Sequence, residues 1–309
     1  MRGPEPSHDP WHETAGGLLV GLAALLFGVV IILGKRVSSL ADPLPVEAML
    51  SVRFGVGALV LAAALAATRR PLLAAPGERR GLALLAVFGY GVEATCFFLA
   101  LRHGTAAAVT LLFFLYPVVV AFFAWLAGGE APNRLTVGSL VCAIVGAGIV
   151  VATGSGLAIE PIGIAFACTS AVVYSAYLVA ADRVLRRTNA LTSGMWVGGG
   201  ASIGLFLWAV AVGHWRLPSG GAEWWPVVGM GVATAGAFVC LMEGIQRIGA
   251  LRTSIVSALE PLAASVLAWF LLGETVTGGI VLGGSLILGG AVAASLARRS
   301  IPPQEQQIT

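Results

Sequence analysis

The sequence predicts an all-α membrane protein of ten transmembrane helices, arranged as two inverted five-helix halves. Three observations lead to this fold class: a scarcity of charge, ten long apolar segments and an internal repeat at a fixed offset. Only 11% of the 309 residues are charged, 58% are hydrophobic, and the mean hydropathy is +0.91. A soluble domain carries about a quarter charged residues on average. So little charge cannot cover a globule of this size, and the surrounding solvent must therefore be lipid.

Ten apolar segments are long enough to cross a bilayer, whose hydrocarbon core of about 30 Å requires about 20 residues of helix. Pro, Gly and charged residues separate most of them, and the connections leave no room for a soluble domain. Residues 1–14 and 300–309 are predicted to be polar tails, the second of them disordered. The predicted spans are 15–34, 46–67, 81–101, 105–127, 135–153, 161–181, 192–213, 226–246, 252–272 and 277–297.

The basic residues predict the orientation. Of the 18 Lys and Arg residues, 13 fall on one side of the ten predicted spans and 4 on the other, while Arg53 lies within the second span. Cytoplasmic loops carry the excess of Lys and Arg in membrane proteins. We therefore expect both termini in the cytoplasm and a multi-pass location in a bacterial inner membrane. The basic residues are spread over short loops rather than along one face, which argues against nucleic acid as a partner.

The second half of the chain repeats part of the first. A shift of 144 residues gives eight identities over the 35 positions from Cys96 to Glu130. A five-helix unit crosses the membrane an odd number of times, so its second copy must insert upside down. Inverted repeats are typical of transporters, with the substrate site near the midplane between the halves. We place the halves at 15–153 and 154–299. The repeated residues include Cys96/Cys240, Ala106/Ala250, Pro117/Pro261, Trp125/Trp269 and Gly129-Glu130/Gly273-Glu274.

The sequence offers no catalytic, metal or cofactor site. The four cysteines are far apart inside apolar runs without a Cys-x-x-Cys pair, and we interpret them as packing residues. The four histidines lie in predicted tails and loops. No phosphate-binding loop is present to couple ATP hydrolysis to transport. We therefore expect no enzyme activity, no cofactor and no metal.

Charged residues inside the spans are the strongest candidates for a site, because each is costly in lipid unless it is paired or functional. Arg53 and Glu93 lie at similar depth on consecutive predicted spans, and we expect them to pair directly or to bind a zwitterion together. A purely structural salt bridge is the alternative. Glu243 precedes Arg247 by four residues, a spacing that predicts an ion pair on one helix face.

Two prolines predict breaks in the fourth and ninth spans. Tyr116-Pro117 and Glu260-Pro261 stand at equivalent positions of the repeat, and a proline within a helix frees a backbone carbonyl. We expect both pairs to act as gates or ligands at the midplane, with Glu260, and secondarily Glu93, able to carry a proton. The alternative is that the prolines only shape the helices. Further candidates for an aromatic cavity wall are Tyr90, Tyr174, Tyr177 and Trp196.

The repeated motifs resemble the hallmark of EamA-type permeases in the drug/metabolite transporter superfamily. The resemblance covers nearly the whole chain, and it implies a ten-helix fold, a central cavity and transport of amino acids, sugars or related metabolites, often outward. This sequence departs from many members in having Tyr116 where they have Glu before the first proline. The motifs are Ala100-Leu101-Arg102, Leu115-Tyr116-Pro117, Ala124-Trp125-Leu126, Gly129-Glu130, Leu259-Glu260-Pro261, Ala268-Trp269 and Gly273-Glu274.

From these features we expect a secondary transporter that exports a small metabolite, most plausibly an amino acid or a related compound, by alternating access around a central cavity. The alternatives are a non-transporting membrane sensor or structural protein with the same fold, and a transporter of sugars or lipophilic drugs. The expected partners are a small-molecule substrate and membrane lipid, with the chain acting as a monomer or a homodimer.

Overall fold

The computed structural model describes residues 10–126, 134–152, 159–185, 187–257 and 259–297. These residues are almost entirely helical, as the sequence predicts. The predicted tails lie mostly outside them, as does Glu130, although the first helix already begins at Pro10. The helices are α1 (Pro10–Ser38), α2 (Val46–Ala67), α3 (Arg79–Leu84), a π-helical segment (Leu85–Gly91), α4 (Val92–Arg102), α5 (Ala106–Phe113), α6 (Tyr116–Leu126), α7 (Arg134–Ala152), α8 (Pro161–Val184), α9 (Ala190–Ala211), α10 (Gly221–Ser257), α11 (Glu260–Leu272) and α12 (Gly278–Ala297).

Six helical segments are long and apolar enough to cross a membrane, so the chain is a multi-pass membrane protein. Four shorter apolar helices occupy the regions of the remaining predicted spans. The six segments are Thr14–Ser38, Val46–Ala67, Arg79–Arg102, Pro161–Ala181, Ala190–Ala211 and Gly221–Gly244; the four shorter ones are Ala106–Val120, Val141–Val150, Glu260–Leu272 and Gly278–Gly290.

Helix boundaries recur at the offset found in the sequence. Helix α9 begins and ends 144 residues after α2, since the two helices are Val46–Ala67 and Ala190–Ala211. Helices α11 and α12 begin at Glu260 and Gly278, each 144 residues after the first residues of α6 and α7, Tyr116 and Arg134. The repeat therefore extends from residue identities to secondary structure.

The packing of the helices has the same regularity. Helix α1 packs along α10, and the corresponding helix of the second half, α8, packs along α4. Helix α2 packs on its counterpart α9 and α7 packs on its counterpart α12, while α5, from the fourth predicted span, packs on α11, from the ninth. Exchanging the two halves thus leaves the main pattern of contacts unchanged.

Loops and helix ends gather at two opposite ends of the bundle. At the first, the Lys35 end, Arg102 Nη2 donates to the carbonyl of Leu44 at 2.7 Å, and His103 Nδ1 lies 2.8 Å from Glu160 Oε2. At the second, the Arg70 end, Glu78 Oε2 accepts hydrogen bonds from the backbone N–H and the hydroxyl of Thr188 at 3.0 and 2.6 Å. The His103–Glu160 and Glu78–Thr188 contacts join one half to the other, whereas the Arg102–Leu44 contact lies within the first half.

The predicted break in the fourth span is present. Helix α5 ends at Phe113 and α6 begins at Tyr116, with Pro117 as its second residue. At the repeat position, α11 begins at Glu260 with Pro261 in its first turn. A proline disfavours the helical conformation of the residue before it and fits the first turn of a helix, which explains why both helices begin here.

The predicted connection between the eighth and ninth spans is wrong as to its secondary structure. The sequence predicted non-helical residues at 247–251, but α10 is assigned as helix through to Ser257. These residues contain no proline, and the one glycine among them, Gly249, costs only about 1 kcal/mol relative to alanine in a helix. Glu243 and Arg247 also form the predicted pair, with 3.6 Å between Oε2 and Nη2.

The chain nevertheless doubles back in this region, as its contacts with α1 reveal. Near one end of α1 the guanidinium of Arg36 lies 5.4 Å from the ring centroid of Trp225, and near the other end Gly16 packs against Ile248. Midway along α1, Gly28 packs against the backbone of Ala264. The chain therefore runs along α1 towards the Arg70 end and returns between Ile248 and Ala264.

Candidate functional site

A cavity of about 380 Å³ lies between α2, the π-helical segment, α8, α9 and α10, and so between the two halves of the chain. It extends from the middle of the bundle to the Arg70 end, where Leu185 and Thr188 line it. None of the described residues that line it carries a charge. They are Phe54, Gly57, Ala58, Leu61, Tyr90, Tyr177, Leu178, Ala181, Leu185, Thr188, Ala190, Ser193, Gly194, Val197, Gly198, Thr234, Ala235, Phe238 and Met242.

Arg53 lies directly behind the deep end of this cavity. Arg53 belongs to α2 and its side chain is buried. Its Nε and Nη2 atoms donate to Thr234 Oγ1 of α10 at 3.3 and 3.2 Å. The guanidinium carbon also lies 4.9 Å from the ring centroid of Phe54 and 5.1 Å from that of Phe98, which places the cation between two aromatic faces. Phe54 and Thr234, which contact the guanidinium, both line the cavity.

Glu93 is also buried, but it does not pair directly with Arg53. Its Oε1 accepts a hydrogen bond from Ser170 Oγ of α8 at 3.0 Å, while Arg53 is bonded to Thr234. Of the two arrangements expected for Arg53 and Glu93, the direct pair is therefore absent in this state.

Aromatic rings form a continuous row from the cavity to the break in the fourth span. Phe54 and Tyr90 have ring centroids 5.2 Å apart, Tyr90 and Tyr177 5.8 Å, and Tyr177 and Tyr174 5.9 Å. Tyr174 continues the row to Tyr116 at 5.0 Å. The row therefore joins four of the predicted aromatic site residues, of which Tyr90 and Tyr177 line the cavity.

The π-helical segment explains how Tyr90 reaches this row. A π-helical turn inserts one extra residue into a helix and changes the direction of the side chains beyond it. It ends at Gly91, immediately after Tyr90, and Gly89 lies against the ring of Tyr177: a Cβ there would be 2.8 Å from Tyr177 Cδ2. A larger residue at position 89 would thus displace the ring that forms the cavity wall.

Trp196 and Glu243, in contrast, lie at the Arg70 end rather than at the deep end. The indole Nε1 of Trp196 donates to the carbonyl of Leu72 at 2.9 Å, so this ring fastens the α2–α3 connection to α9. Glu243 lies 3.9 Å from Arg70 Nη2 as well as close to Arg247. The structure therefore does not bring Trp196 to the cavity with the tyrosines.

Polar contacts close the bundle at the Lys35 end. Lys35 Nζ donates to the carbonyls of Leu101 and Gly104 at 2.6 and 2.7 Å, at the C-terminal end of α4. Glu274 Oε1 accepts the backbone N–H of Ala106 at 2.9 Å, at the first turn of α5. The positive and negative side chains each meet a helix end of opposite polarity, which stabilises the α4–α5 turn.

Sequence reasoning missed three hydroxyl residues of the site. Thr234 and Ser170 bind the two buried charges, and Ser193 lines the cavity. Serine and threonine occur throughout the predicted spans, where they can bond to the preceding turn of their own helix. A serine or threonine in a span therefore does not by itself indicate a site residue. These three are identified only by the packing of α8, α9 and α10 against α2 and α4.

The residues of the cavity are suited to binding a ligand. The cavity has apolar and aromatic walls with a few hydroxyl groups, a composition suited to a small molecule. Among the residues that the structure describes, no three His, Cys, Asp or Glu side chains are grouped closely enough to hold a metal ion. The fold and the cavity together define a helical membrane protein with an uncharged cavity between the first and second halves of its chain.

The chain belongs to the EamA-like transporter family, whose model matches residues 14–152 and again residues 161–296. The protein is thus a transporter rather than an enzyme, as expected from the resemblance. A solved crystal structure aligns with 94% of this chain and 99% of its own length at a TM-score of 0.66. At 21% identity this similarity establishes the fold alone.

Several transporters of known sequence are similar over most of their length. An uncharacterized transporter of Archaeoglobus fulgidus is 28% identical over 90% of this chain and 96% of its own length. The uncharacterized inner membrane transporter YicL of Salmonella typhimurium is 29% identical over 71% of this chain and 73% of its own. The aromatic amino acid exporter YddG of Ancylobacter novellus is 28% identical over 69% of this chain and 74% of its own.

Proposed function

We propose that this protein is a secondary transporter that exports an amino acid with an aromatic or large apolar side chain from the cytoplasm. The observation that carries the proposal is the uncharged, aromatic cavity with Arg53 buried directly behind its deep end. Such a cavity offers a place for an apolar side chain, and the buried charges beyond it offer partners for the α-carboxylate and the α-amino group. The exporter YddG, which is 28% identical, is consistent with this substrate class.

The proposed topology is ten transmembrane helices in two inverted halves, 15–153 and 154–299. Three observations support it: the recurrence of helix boundaries at 144 residues, the exchangeable packing of the halves, and the two separate family matches. The distribution of Lys and Arg supports cytoplasmic termini, which would place the Arg70 end in the cytoplasm. We assign the protein to an inner membrane, in keeping with the inner membrane transporter YicL.

This topology supports transport by alternating access. The cavity reaches the Arg70 end, while Lys35 and Glu274 close the opposite end, which supports a state open to the cytoplasm. In the other state the halves would exchange roles, and the contacts of Lys35 and Glu274 would be released. In this proposal the protein acts as a monomer or as a homodimer with one cavity in each chain.

Within the site, Arg53 would receive the substrate carboxylate and Glu93 the amino group. Among the described residues the side-chain hydrogen bonds of Arg53 and Glu93 go to neutral hydroxyl groups, those of Thr234 and Ser170, and a charged substrate group would take the place of these hydroxyls. Glu260 begins α11 directly before Pro261. We assign to Glu260 the coupling proton, and to the breaks at Pro117 and Pro261 the bending of the fourth and ninth spans.

Flux through the purified protein tests this function. Proteoliposomes loaded with radiolabelled L-phenylalanine, L-leucine, L-glutamate or D-glucose would be compared with liposomes without protein. The proposal predicts movement of phenylalanine and, more slowly, leucine, with no movement of glutamate or glucose. Flux of glucose without flux of phenylalanine would assign a sugar as substrate, and no flux of any compound in well-folded protein would contradict a transport function for this cavity.

A further inference from the structure

Two hydroxyl groups of the described helices, those of Ser38 and Ser193, are buried without a hydrogen-bond partner among the described residues, and of these two only Ser193 lines the cavity. Ser193 lies in the first turn of α9 and is only 8% exposed. Many helical Ser and Thr residues in this chain instead bond to the carbonyl four residues earlier: Thr68, Thr95, Thr110, Thr169, Ser175, Thr234, Ser265 and Ser285.

This hydroxyl can gain a partner from the cavity. A buried hydroxyl without a hydrogen bond costs about 1–3 kcal/mol. The Ser193 oxygen is itself enclosed in this structure, so a group in the cavity reaches it when the side chain turns towards the cavity. A substrate group beside Ser193 then either supplies the hydrogen bond or leaves the hydroxyl unsatisfied.

The position of Ser193 identifies which part of the substrate it meets. Gly198 of α9 lies level with Phe54, since a Cβ there would be 3.6 Å from the Phe54 carbonyl oxygen, and Phe54 is next to Arg53. Ser193 is five residues nearer the Arg70 end, which is about 7.5 Å along the helix axis. This distance is comparable to that between the carboxylate of an aromatic amino acid and the far edge of its ring.

We infer that Ser193 is a specificity-determining residue that binds a hydrogen-bonding atom at the end of the substrate's aromatic side chain. The inference rests on the proposed function, in which the carboxylate lies towards Arg53. It deepens that function by naming the preferred substrates as aromatic amino acids with a polar ring edge. The phenolic hydroxyl of L-tyrosine can form a hydrogen bond with the Ser193 hydroxyl, whereas the ring of L-phenylalanine cannot.

The test compares these two amino acids, which differ by one hydroxyl group, in proteoliposomes containing Ser193→Ala, Ser193→Thr or the unchanged protein. One hydrogen bond contributes about 0.5–1.5 kcal/mol, so the unchanged protein should prefer tyrosine in kcat/KM by about three- to tenfold. Ser193→Ala should remove this preference, by slowing tyrosine and not phenylalanine, and Ser193→Thr should retain it. If Ser193→Ala does not fold, Ser193→Cys, whose thiol is a weak donor, should lower the preference as well.

Ser202→Ala provides the matched control on the same helix. The Ser202 hydroxyl donates to the Ser51 carbonyl at 2.7 Å and is not part of the cavity lining, so its loss should leave the ratio of the two substrates unchanged. An equal ratio in the unchanged protein and in Ser193→Ala, with both amino acids transported, would overturn the inference and leave the proposed function standing. Failure of the unchanged protein to transport either one would refute both.

Discussion

Arg53 Nη2 lies 3.2 Å from Thr234 Oγ1, and this contact joins α2 of the first half to α10 of the second. Thr234 donates its own hydroxyl hydrogen to the carbonyl of Met230 at 2.7 Å, so the oxygen is free to accept from the guanidinium. The neutral hydroxyl of Thr234 thus accepts hydrogen bonds from Arg53 where an anionic group could also accept them. It holds the buried guanidinium at the deep end of the cavity without neutralising its charge.

Replacement of Arg53 should slow transport by at least tenfold. Arg53→Ala removes the only charge that we assign to the substrate carboxylate, and we expect the kcat/KM for L-phenylalanine to fall at least tenfold, as one lost charged hydrogen bond of about 1.5–3 kcal/mol requires. Arg53→Lys, which retains the charge without the planar fork, should be intermediate. Flux in proteoliposomes measures both, with the exposed Arg80 replaced by alanine as the control. Wild-type flux through well-folded Arg53→Ala would remove Arg53 from the site.

Replacement of Glu260 should uncouple transport from protons. Glu260→Gln retains the size and most of the hydrogen-bonding capacity of the side chain but cannot release a proton. We expect export to become independent of the pH gradient and to continue only down the gradient of the substrate. The measurement is efflux from proteoliposomes with and without an imposed pH gradient, and Glu160→Gln, in an exposed loop, is the control. An unchanged response to the gradient in Glu260→Gln would exclude Glu260 as the coupling group.

Replacement of Glu274 should weaken the closure of the Lys35 end. The Glu274 carboxylate accepts the N–H of Ala106, 168 residues earlier, and a helix cap of this kind contributes about 1 kcal/mol. Glu274→Gln should lower the free energy of unfolding in detergent by about this amount and make α5 more accessible to thiol reagents from the outside. Unfolding curves and labelling of Ala107→Cys measure the two effects. Unchanged stability and unchanged labelling would show that Glu274 does not hold this end closed.

Replacement of Gly146 should disturb the contact between α7 and α12. A Cβ on Gly146 would lie 2.5 Å from the Gly283 carbonyl oxygen, whereas one on Gly148 of the same helix would have nothing within 4 Å. We expect Gly146→Ala to destabilise the protein by about 1–3 kcal/mol, the usual cost of overpacking. The control Gly148→Ala should be neutral or stabilising by up to about 1 kcal/mol, since alanine favours helix. Equal stabilities would contradict the close approach of these helices.

The sequence was sufficient to predict the helical membrane class, the family, and the exceptional charges Arg53, Glu93 and Glu260. Each depends on a strong energetic rule, because charge is excluded from lipid and apolar length is set by the bilayer. The breaks before Pro117 and Pro261 were equally predictable from the covalent geometry of proline. The helical continuation of α10 beyond Ile248 was not, since one glycine decides a helix boundary only weakly.

The partners of the site residues could not be predicted in the same way. That Arg53 bonds to Thr234 instead of Glu93 depends on how α10 is rotated against α2, and no periodicity in either helix specifies this. The role of Ser193 depends on its hydroxyl having no hydrogen-bond partner among the described residues, and this results from how the helices pack. Trp196 was a candidate for the cavity wall because it is aromatic, yet its indole N–H donates to the carbonyl of Leu72 at the Arg70 end.

The central claim is that the cavity between the halves binds the exported substrate and opens to the cytoplasm. Ala58 lines this cavity, and Ala58→Cys in a protein lacking the four native cysteines would report on it directly. With membrane-impermeant maleimide, the account predicts labelling from the cytoplasmic face of inverted vesicles, little labelling from the opposite face, and protection by L-phenylalanine or L-tyrosine. Labelling that these amino acids do not slow, or that occurs only from the outer face, would contradict it.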